Sequence, residues 1–462
     1  MYARLDVGMM KDKVLMREID AQERVHHFLE VACGYNAEEA MLEASRCLEC
    51  KHPKCVLACP VEIDIPGFIK AIKEKDFSLA YQVITKDNVL PSICGRVCPQ
   101  ESQCEGACIV GIKNTSVSIG ALERFVGDYA RDHLKTRKVV KEKIGKKVAL
   151  VGSGPASLAC AAVLIEEGVD VSIYEALHDY GGVLMYGIPS FRLPKEIVRE
   201  EIKVLEDKGV RFYKNVLIGK TITIDELKKD YDAIFLGTGA GLPSTLGLPG
   251  EHGSGIYYAN EFLTRVNLMG SHTFPVQKTP IKIGQKVAVI GGGNVAMDAA
   301  RTAARLGAKE VFILYRRDME SLPARQEEIH HAIEEGIGFR LLESPVSFAL
   351  ENYEVRSVKT EIMELGEKDA SGRRRPLGTS RFREHQVDSV IIAIGQSPNP
   401  IVKRETKELK TDKWGRVVVD EYGQTSIEDV YAGGDSVLGA ATVILAMGAG
   451  KKAAKRMLER FK

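Results

Sequence analysis

The stretch KKVALVGSGPASLACAAVLIEEGVDVSIYEA, residues 146–176, predicts the central element of the fold. A short apolar strand leads into a glycine-rich turn, an apolar helix follows, and a second strand ends at Glu175. Gly152 permits the tight turn, and Gly154 lets the backbone approach a pyrophosphate at the helix N-terminus. Glu175 stands where an acid accepts hydrogen bonds from ribose hydroxyls, and Ser157, in place of the third glycine, is still small. We therefore predict a dinucleotide site here rather than a plain strand–helix turn.

A second copy of this pattern, QKVAVIGGGNVAMDAARTAARLGAKEVFILYRR, runs from 285 to 317. Gly291, Gly293 and Ala296 fill its three small positions. Arg316 and Arg317 follow the next strand, where the first copy has an acid, and arginine at that place accommodates a 2′-phosphate. The first site thus suits the adenosine of FAD and the second suits NADP(H). A solvated basic strand end is the alternative interpretation of the arginine pair.

A third segment, TSIEDVYAGGDSVLGAATVILAMGAGKKAA at 425–454, predicts a short strand, a turn and a helix beginning near Ala441. The free N–H groups of a helix N-terminus favour the electron-rich edge of a reduced flavin. The turn carries Gly434 and Asp435, and Asp435 could hydrogen-bond the ribityl or pyrophosphate part of the same cofactor.

Nine of the ten cysteines lie before residue 110, in the runs CLECKHPKCVLACP (47–60) and CGRVCPQESQCEGAC (94–108), with Cys33 upstream. Each run holds four closely spaced thiols and a Cys-Pro step, which is typical of ferredoxin-like iron–sulfur ligation. A zinc ribbon would instead need two C-x2-C pairs separated by a longer loop. We predict two [4Fe–4S] clusters; zinc, disulfides and unused thiols are the alternatives.

Length and composition exclude several classes of protein. A chain of 462 residues predicts two to four domains, and a net charge of +1 gives no case for nucleic acid. The first residues lack the apolar core of a secretory signal. Residues 148–165 carry no charge but contain GSGP, so a strand, turn and helix explain them better than a membrane span. We expect a cytoplasmic protein without a membrane span.

The motifs GSGPA, YEA, GGVLMYGIPSFRLP, LGTGA, GGGNVAMD and AGGDS occur in the order seen in flavin oxidoreductases with two dinucleotide domains. With the cysteine runs ahead of them, nearly the whole chain resembles the small (beta) subunit of NADPH-dependent glutamate synthase. It is equally similar to the large subunit of the electron-bifurcating NADH-dependent ferredoxin:NADP oxidoreductase. The iron–sulfur-bearing part of dihydropyrimidine dehydrogenase looks related too.

The resemblance implies a ligand set that crosses the two cysteine runs. One cluster would be held by Cys47, Cys50, Cys55 and Cys108, and the other by Cys59, Cys98, Cys104 and Glu123 of the SIGALERF segment. The helical pattern alone would make Glu123 a solvated residue, and Cys94 is left as a neighbour rather than a ligand. The candidate cofactor-binding residues are Gly152, Gly154, Pro155, Ala156, Glu175, Gly182, Gly239, Gly291, Gly293, Asn294, Val295, Arg316, Arg317, Gly434, Asp435, Ala441 and Thr442.

The predicted fold class is α/β, with two Rossmann-like domains for FAD and NADP preceded by an α-helical domain with two [4Fe–4S] clusters. We place the helical domain at 1–140, followed by a charged connector. The FAD domain comprises 145–270 and 400–462, and the NADP(H) domain, 275–395, is inserted in it.

The predicted chemistry is electron transfer: NADPH gives a hydride to the flavin, and the clusters accept single electrons, in either direction. No acid–base pair is required, and the second dinucleotide domain has no C-x2-C motif for disulfide exchange. The first interpretation is the NADP(H)-handling subunit of a bifurcating complex that reaches ferredoxin; the close alternative is the glutamate synthase small subunit. Either needs a partner subunit. A non-catalytic iron–sulfur carrier and a zinc-scaffolded flavoenzyme are the alternatives of other classes.

Overall fold

The computed structural model describes residues 12–134, 141–368 and 372–462. Residues 1–11, and residues 135–140 of the predicted connector, lie outside this description. The helices are α1 (Ala21–Arg24), α2 (Ala37–Ala44), α3 (Lys54–Leu57), α4 (Ile65–Lys73), α5 (Phe77–Thr85), α6 (Pro91–Val97), α7 (Ile119–His133), α8 (Pro155–Glu166), α9 (Val183–Tyr186), α10 (Lys195–Lys208), α11 (Ile224–Asp230), α12 (Ala259–Asn267), α13 (Asn294–Arg305), α14 (Gln326–Glu334), α15 (Ile401–Glu405), α16 (Asp435–Leu438) and α17 (Val443–Phe461).

Strands form one sheet in each of the two dinucleotide regions, with smaller sheets attached. They are β1 (Arg17–Glu18), β2 (Ala32–Gly34), β3 (Lys147–Val151), β4 (Asp170–Tyr174), β5 (Arg211–Tyr213), β6 (Ala233–Leu236), β7 (Leu242–Pro243), β8 (Ile256–Tyr258), β9 (Lys286–Ile290), β10 (Glu310–Tyr315), β11 (Gly338–Leu341), β12 (Glu343–Glu351), β13 (Glu354–Lys368), β14 (Arg374–Gln386), β15 (Ser389–Ile392), β16 (Gln396–Ser397) and β17 (Val430–Ala432).

The amino-terminal region is a group of short helices around the cysteine runs. Aspartates start two of them: Asp64 caps α4 and Asp76 caps α5, each accepting a hydrogen bond from the N–H three residues on. The apolar face of α4, which includes Phe68 and Ile72, is fully buried. These helices therefore give the cysteine loops a rigid support.

The first large sheet is parallel and has the order β17-β6-β3-β4-β5. Its strands come from both sides of the second dinucleotide region in the chain, and the domain division given by the sequence stays a prediction. Helix α17 packs tightly on α8, because a Cβ on Gly450 would lie 2.0 Å from the carbonyl oxygen of Ala156.

The second large sheet is also parallel, in the order β11-β10-β9-β15-β8. Its edge strand β8 lies before residue 270, within the range that the sequence assigns to the FAD domain. The domain boundaries stay predictions. A three-stranded antiparallel sheet, β12-β13-β14, is inserted between β11 and β15.

The helical region and the first sheet share one hydrophobic core. Buried side chains such as Ile69 and Ile93 belong to the same cluster as Leu150 and Phe235. The thiol of Cys94 lies 3.6 Å from the sulfur of Met447 in α17. The cysteine region is thus built onto the first dinucleotide region. Within the three described ranges, no helix combines the length and apolarity needed to cross a bilayer.

Candidate cofactor sites

The first turn joins β3 to α8 and leaves space at the helix N-terminus. Gly152 has φ +89°, and a Cβ there would lie 2.5 Å from the carbonyl oxygen of Gly237, so only glycine fits. Gly154 caps the helix, and a Cβ on it would meet no atom within 4 Å. This open space lies in front of free N–H groups, where a pyrophosphate binds in such turns. Pro155 occupies the first helical position, where its missing N–H does no harm.

Further glycines from distant parts of the chain surround this turn. A Cβ on Gly182 would lie 3.0 Å from the Cα of Gly154, and one on Gly434 would lie 3.0 Å from the Cβ of Ala156. Both have positive φ. Gly239, with φ +67°, also borders open space. Gly182 and Gly434, which belong to separate motifs, are therefore brought to the same helix N-terminus.

Glu175 ends the second strand and is bonded to the turn itself. Its Oε2 accepts hydrogen bonds from the N–H (2.9 Å) and hydroxyl (2.5 Å) of Ser153, and its Oε1 accepts one from the N–H of Leu177 (2.9 Å). The buried carboxylate thus holds the turn in shape. A ribose contact through its remaining lone pairs stays a prediction.

The late segment lies against the same turn. Helix α17 begins at Val443, two residues after the position suggested by the sequence, and is capped by Thr442, whose hydroxyl accepts from the N–H of Leu445. Asp435 accepts a hydrogen bond from the N–H of Ala441 at 3.2 Å. Burial raises the pKa of Asp435 to about 6. The loop before α17 therefore offers both N–H donors and a carboxyl group to a ligand.

The second turn, between β9 and α13, repeats the first. Gly291 has φ +140°, and a Cβ there would lie 2.3 Å from the carbonyl oxygen of Ala393. Gly293 caps α13 and borders open space, with the partly exposed Val295 nearby in the first helical turn. The side-chain oxygen of Asn294 accepts from the N–H of Arg325 at 2.9 Å.

The two arginines after β10 have different surroundings. Arg316 is exposed, whereas Arg317 is buried and its Nε donates to the carbonyl oxygen of Arg374 at 2.8 Å. Arg317 therefore joins the strand end to the three-stranded sheet. The sequence pattern treats the two as a pair and gives no sign of this division. Contact of Arg316 with a 2′-phosphate stays a prediction, and its exposure is compatible with it.

The cysteines line two cavities, and their grouping is the one implied by the resemblance. We call them the inner and the outer cavity and define each by its thiols. The inner cavity is lined by Cys59, Cys98, Cys104 and Glu123, together with apolar side chains that include Ile444 of α17. The outer cavity is lined by Cys47, Cys50, Cys55 and Cys108.

The protonation chemistry of these groups fits a cationic metal cluster. Burial, with Cys108 and Cys47 nearby, raises the pKa of Cys55 to about 11. Burial also raises the pKa of Cys59 and Cys104, and it raises the pKa of Glu123 to about 8. Crowded, desolvated acids of this kind ionise readily only when a cation compensates their charge.

Glu123 and Cys94 belong to one buried group beside the inner cavity. The Nδ2 of Asn88 donates to Oε1 of Glu123 at 2.5 Å, and the Cys94 thiol lies 3.7 Å from Oδ1 of Asn88. Cys94 is not among the described residues that line the inner cavity, and its assignment as a neighbour rather than a ligand stays a prediction. Sequence reasoning missed Gln100 and Ile444, which do line it, because neither is a ligand type.

Both kinds of site fit their cofactors: glycine-bounded space at two helix N-termini, and two sets of four ligand-type side chains. This combination defines a nicotinamide-dependent flavin and iron–sulfur oxidoreductase. The residue-level ligand and contact assignments remain predictions, which the experiments below test.

Comparison with known proteins identifies the family. Residues 24–135 match the family described as dihydropyrimidine dehydrogenase domain II, 4Fe-4S cluster, and residues 146–452 match pyridine nucleotide-disulphide oxidoreductase. The glutamate synthase [NADPH] small chain of Escherichia coli is 37% identical over 92% of this chain and 92% of its own length. The chain therefore belongs to the glutamate synthase small chain family of oxidoreductases. Its cofactors are FAD, NADP(H) and [4Fe–4S] clusters, as the sequence predicts.

Other relatives are longer proteins. The putative oxidoreductase AegA of Escherichia coli is 38% identical over 94% of this chain and 67% of its own length. The NADPH-Fe(3+) oxidoreductase subunit beta of Geobacter sulfurreducens is 37% identical over 88% of this chain and 63% of its own length.

Solved structures confirm the two-domain fold. FprA of Mycobacterium tuberculosis, in complex with NADPH, has a TM-score of 0.58 and 22% identity, covering 68% of this chain and 84% of its own. Thioredoxin reductase of Lactococcus lactis has a TM-score of 0.52 and 22% identity, covering 68% and 99%. The chain itself has no cysteine after Cys160, so its second dinucleotide region has no thiol pair for disulfide exchange.

Proposed function

We propose that the chain exchanges reducing equivalents between NADP(H) at the second turn and FAD at the first, and passes single electrons through the inner and outer cavities to a partner subunit. When bound, the flavin takes up two electrons together and releases them singly, while each cluster carries one. The position of Ile444 carries the proposal. This residue lines the inner cavity from the first turn of α17, whose cap is Thr442 and whose preceding loop donates to Asp435 through the N–H of Ala441.

The order of the sites supports an outward route. Ile65 and Ile119 line both cavities, so the two cluster sites are neighbours. Leu48 lines the outer cavity and is 63% exposed, whereas Cys59 and Cys98 of the inner cavity are buried. The inner site is therefore next to the flavin region, and the outer site is next to solvent.

The residues of the chain supply position and environment. The two glycine turns present N–H groups to the cofactor phosphates, and Glu175 keeps the first turn in shape. Apolar side chains of the inner cavity, among them Ile63 and Phe68, exclude water from that site. No side chain needs to move a proton.

The surface around the outer cavity supports an acidic partner. Leu48 and Lys54 line that cavity and are exposed, and Lys51 is exposed on the same cysteine run, where the neighbouring Glu49 is paired with Lys73. Lysines around an apolar patch attract and orient a partner of opposite charge. We propose a glutamate-forming large subunit as this partner, because relatives named glutamate synthase small chain match over 92–94% of their own length. Ferredoxin-linked bifurcation, the first interpretation from the sequence, is the second candidate, since the same exposed lysines suit a small acidic electron carrier.

The composition test uses anaerobically purified protein. We expect bound FAD, about eight iron atoms per chain and reduction of a dye acceptor by NADPH. Zinc in place of iron would contradict the cluster assignment, and the absence of dye reduction would favour a non-catalytic electron carrier. Glu123→Ala should change the spectrum of one cluster and Cys50→Ser that of the other; two unaltered clusters in either variant would remove that residue as a ligand.

The partner test mixes the reduced protein with each candidate separately. Glutamate formation from 2-oxoglutarate and glutamine with a glutamate synthase large subunit would support the first candidate. Ferredoxin reduction by NADPH that requires NAD+ as the second electron acceptor, together with a second flavoprotein, would support bifurcation. Failure of both would leave the electron-transfer chemistry standing and remove both partners.

A further inference from the structure

Arg325 connects the second dinucleotide turn to the cysteine region. It precedes α14 and is 7% exposed. Its N–H donates to the side-chain oxygen of Asn294 at 2.9 Å, beside the glycine turn. Its guanidinium donates to the carbonyl oxygen of Arg96 at 2.7 Å and to Oε1 of Gln100 at 3.0 Å. A single residue thus contacts both cofactor regions, the second turn through its backbone N–H and the cysteine region through its guanidinium.

Gln100 is fixed on its other side by the inner cavity. It is buried, lines that cavity and lies between the ligand candidates Cys98 and Cys104. Its Nε2 donates to the carbonyl oxygen of Gly95 at 3.2 Å, and a Cβ on Gly120 would lie 2.3 Å from the same atom. Gln100 therefore has little freedom to move without disturbing the loop that carries those thiols.

Helix α14 is held firmly at both ends. At its start, the N–H of Gln326 donates to Oε1 of Glu101 at 3.1 Å. After its end, Glu335 is paired with Arg24 (3.0 Å) and Arg301 (2.8 Å), all of them buried. Breaking such buried pairs is expensive, so the helix moves as one unit with the surrounding helices. We therefore expect a displacement of Arg325 to move the loop that contains Gln100.

We propose that Arg325 is a positioning residue that couples NADP(H) binding to the inner cluster site through Asn294 on one side and Gln100 on the other. The inference rests on the proposed function, because it requires the nucleotide at the second turn. Linkage is reciprocal: if reduction of the inner site changes nucleotide affinity by a given factor, nucleotide binding changes the reduction equilibrium of that site by the same factor.

The probe is 2′,5′-ADP, which carries the phosphorylated adenosine half of NADP but no redox-active ring. Calorimetry on the anaerobic holoprotein measures its binding, and an electron paramagnetic resonance titration measures the midpoint of the inner cluster with and without it. The signal that Glu123→Ala alters identifies this cluster. We expect about a fivefold change in the reduction equilibrium, which is about 40 mV for a one-electron couple.

Arg325→Gln should still bind 2′,5′-ADP but lose this midpoint shift. Glu327→Gln is the matched control, since Glu327 pairs with the guanidinium at 2.6 Å from the partly exposed side and makes no hydrogen bond to Asn294 or Gln100 within the described part of the chain. It should keep the shift. A shift that persists in Arg325→Gln, or one that is absent from the wild type despite binding, overturns the inference alone. No binding of 2′,5′-ADP to the wild type overturns the nucleotide site as well.

Hydrogen exchange on the wild-type protein tests the same coupling if Arg325→Gln does not fold. Adding 2′,5′-ADP should slow exchange at least threefold in peptides that cover residues 96–101. Unchanged exchange there, with protection confined to the second turn, would overturn the inference.

Discussion

The two dinucleotide turns share one strand–turn–helix arrangement but have different residues at the end of the following strand. In each, the first glycine passes close to the carbonyl oxygen that follows a neighbouring strand, at Gly237 and Ala393 respectively. The middle residues differ: Ser153 is bonded to Glu175, whereas a Cβ on Gly292 would lie 2.7 Å from the ring of Tyr315.

This difference separates two roles within the motif: the glycines set the turn, and the residue at the strand end either supports the turn or selects the cofactor. Glycines set the turn in both copies, because positive φ and close carbonyls exclude a side chain. The strand-end residue is then used differently. Glu175 is buried and stabilises its own turn, while Arg316 is exposed at its strand end. We infer that the first turn is rigid before it binds a cofactor, and that the second selects its cofactor by charge.

The largest expected effect comes from filling the open space at one turn and not the other. Gly154→Val places a side chain where nothing lies within 4 Å, so the fold should survive while FAD is excluded. We expect near-complete loss of flavin, measured by absorbance after release from the purified protein. Gly293→Val is the matched change at the second turn: it should keep FAD and lower NADPH-dependent dye reduction by about 100-fold, or about 2.7 kcal/mol.

Flavin retained in Gly154→Val, or flavin lost equally in both variants, would contradict the assignment of one cofactor to each turn. Iron content should be unchanged in both, which distinguishes cofactor exclusion from unfolding.

The second prediction separates the two arginines. Arg316→Gln should raise the KM for NADPH by about 10- to 100-fold, because a charge-assisted hydrogen bond to a phosphate contributes about 1.5–3 kcal/mol. The KM for NADH should stay within about twofold. Arg317→Gln should instead lower the thermal midpoint, since Arg317 is buried and bonded to Arg374. Steady-state kinetics with both nucleotides decide the first claim; equal losses for NADPH and NADH would remove the 2′-phosphate argument.

Both turns could be predicted from the sequence because each is a local pattern of glycine spacing, strand and helix. The cluster grouping could not be derived from spacing alone. Cys108 lines the outer cavity with three thiols from the other run, and Cys59 lines the inner cavity with two from the second run. Only the family resemblance supplied that crossing, and it also selected Glu123 against its helical pattern.

The features that could not be predicted depend on tertiary contacts, which produce no local pattern in the sequence. The different burial of Arg316 and Arg317 is caused by the three-stranded sheet that packs beside them. The link from Arg325 to Gln100 joins residues 225 positions apart. Strand β8 pairs with β15, although most of the second dinucleotide region lies between them in the chain. Motif spacing contains no information about any of these.

The third prediction tests whether Glu175 supports its turn. Glu175→Gln keeps the size of the side chain but turns one acceptor into a donor, facing either Ser153 or Leu177. We expect about tenfold weaker FAD retention, or about 1.4 kcal/mol, measured by flavin dissociation in dilute buffer. Ser153→Gly gives the first turn the middle residue of the second and should weaken retention less. Unchanged retention in Glu175→Gln would mean that the turn holds its shape without the carboxylate.

The smallest expected effect is at the third small position of each motif, Ser157 in the first turn and Ala296 in the second. Ser157 is fully buried, and its hydroxyl has no hydrogen-bond partner among the described residues. Ser157→Ala should therefore raise the thermal midpoint by about 1–3 °C, because it removes an unsatisfied buried polar group. Ser157→Val should lower it, since a Cβ on Gly237 would already lie 2.2 Å from the Ser157 Oγ and no room exists for a second branch. Calorimetric scans of the FAD-bound protein measure both, and a lower midpoint for Ser157→Ala would mean that the hydroxyl has a partner, such as the cofactor itself.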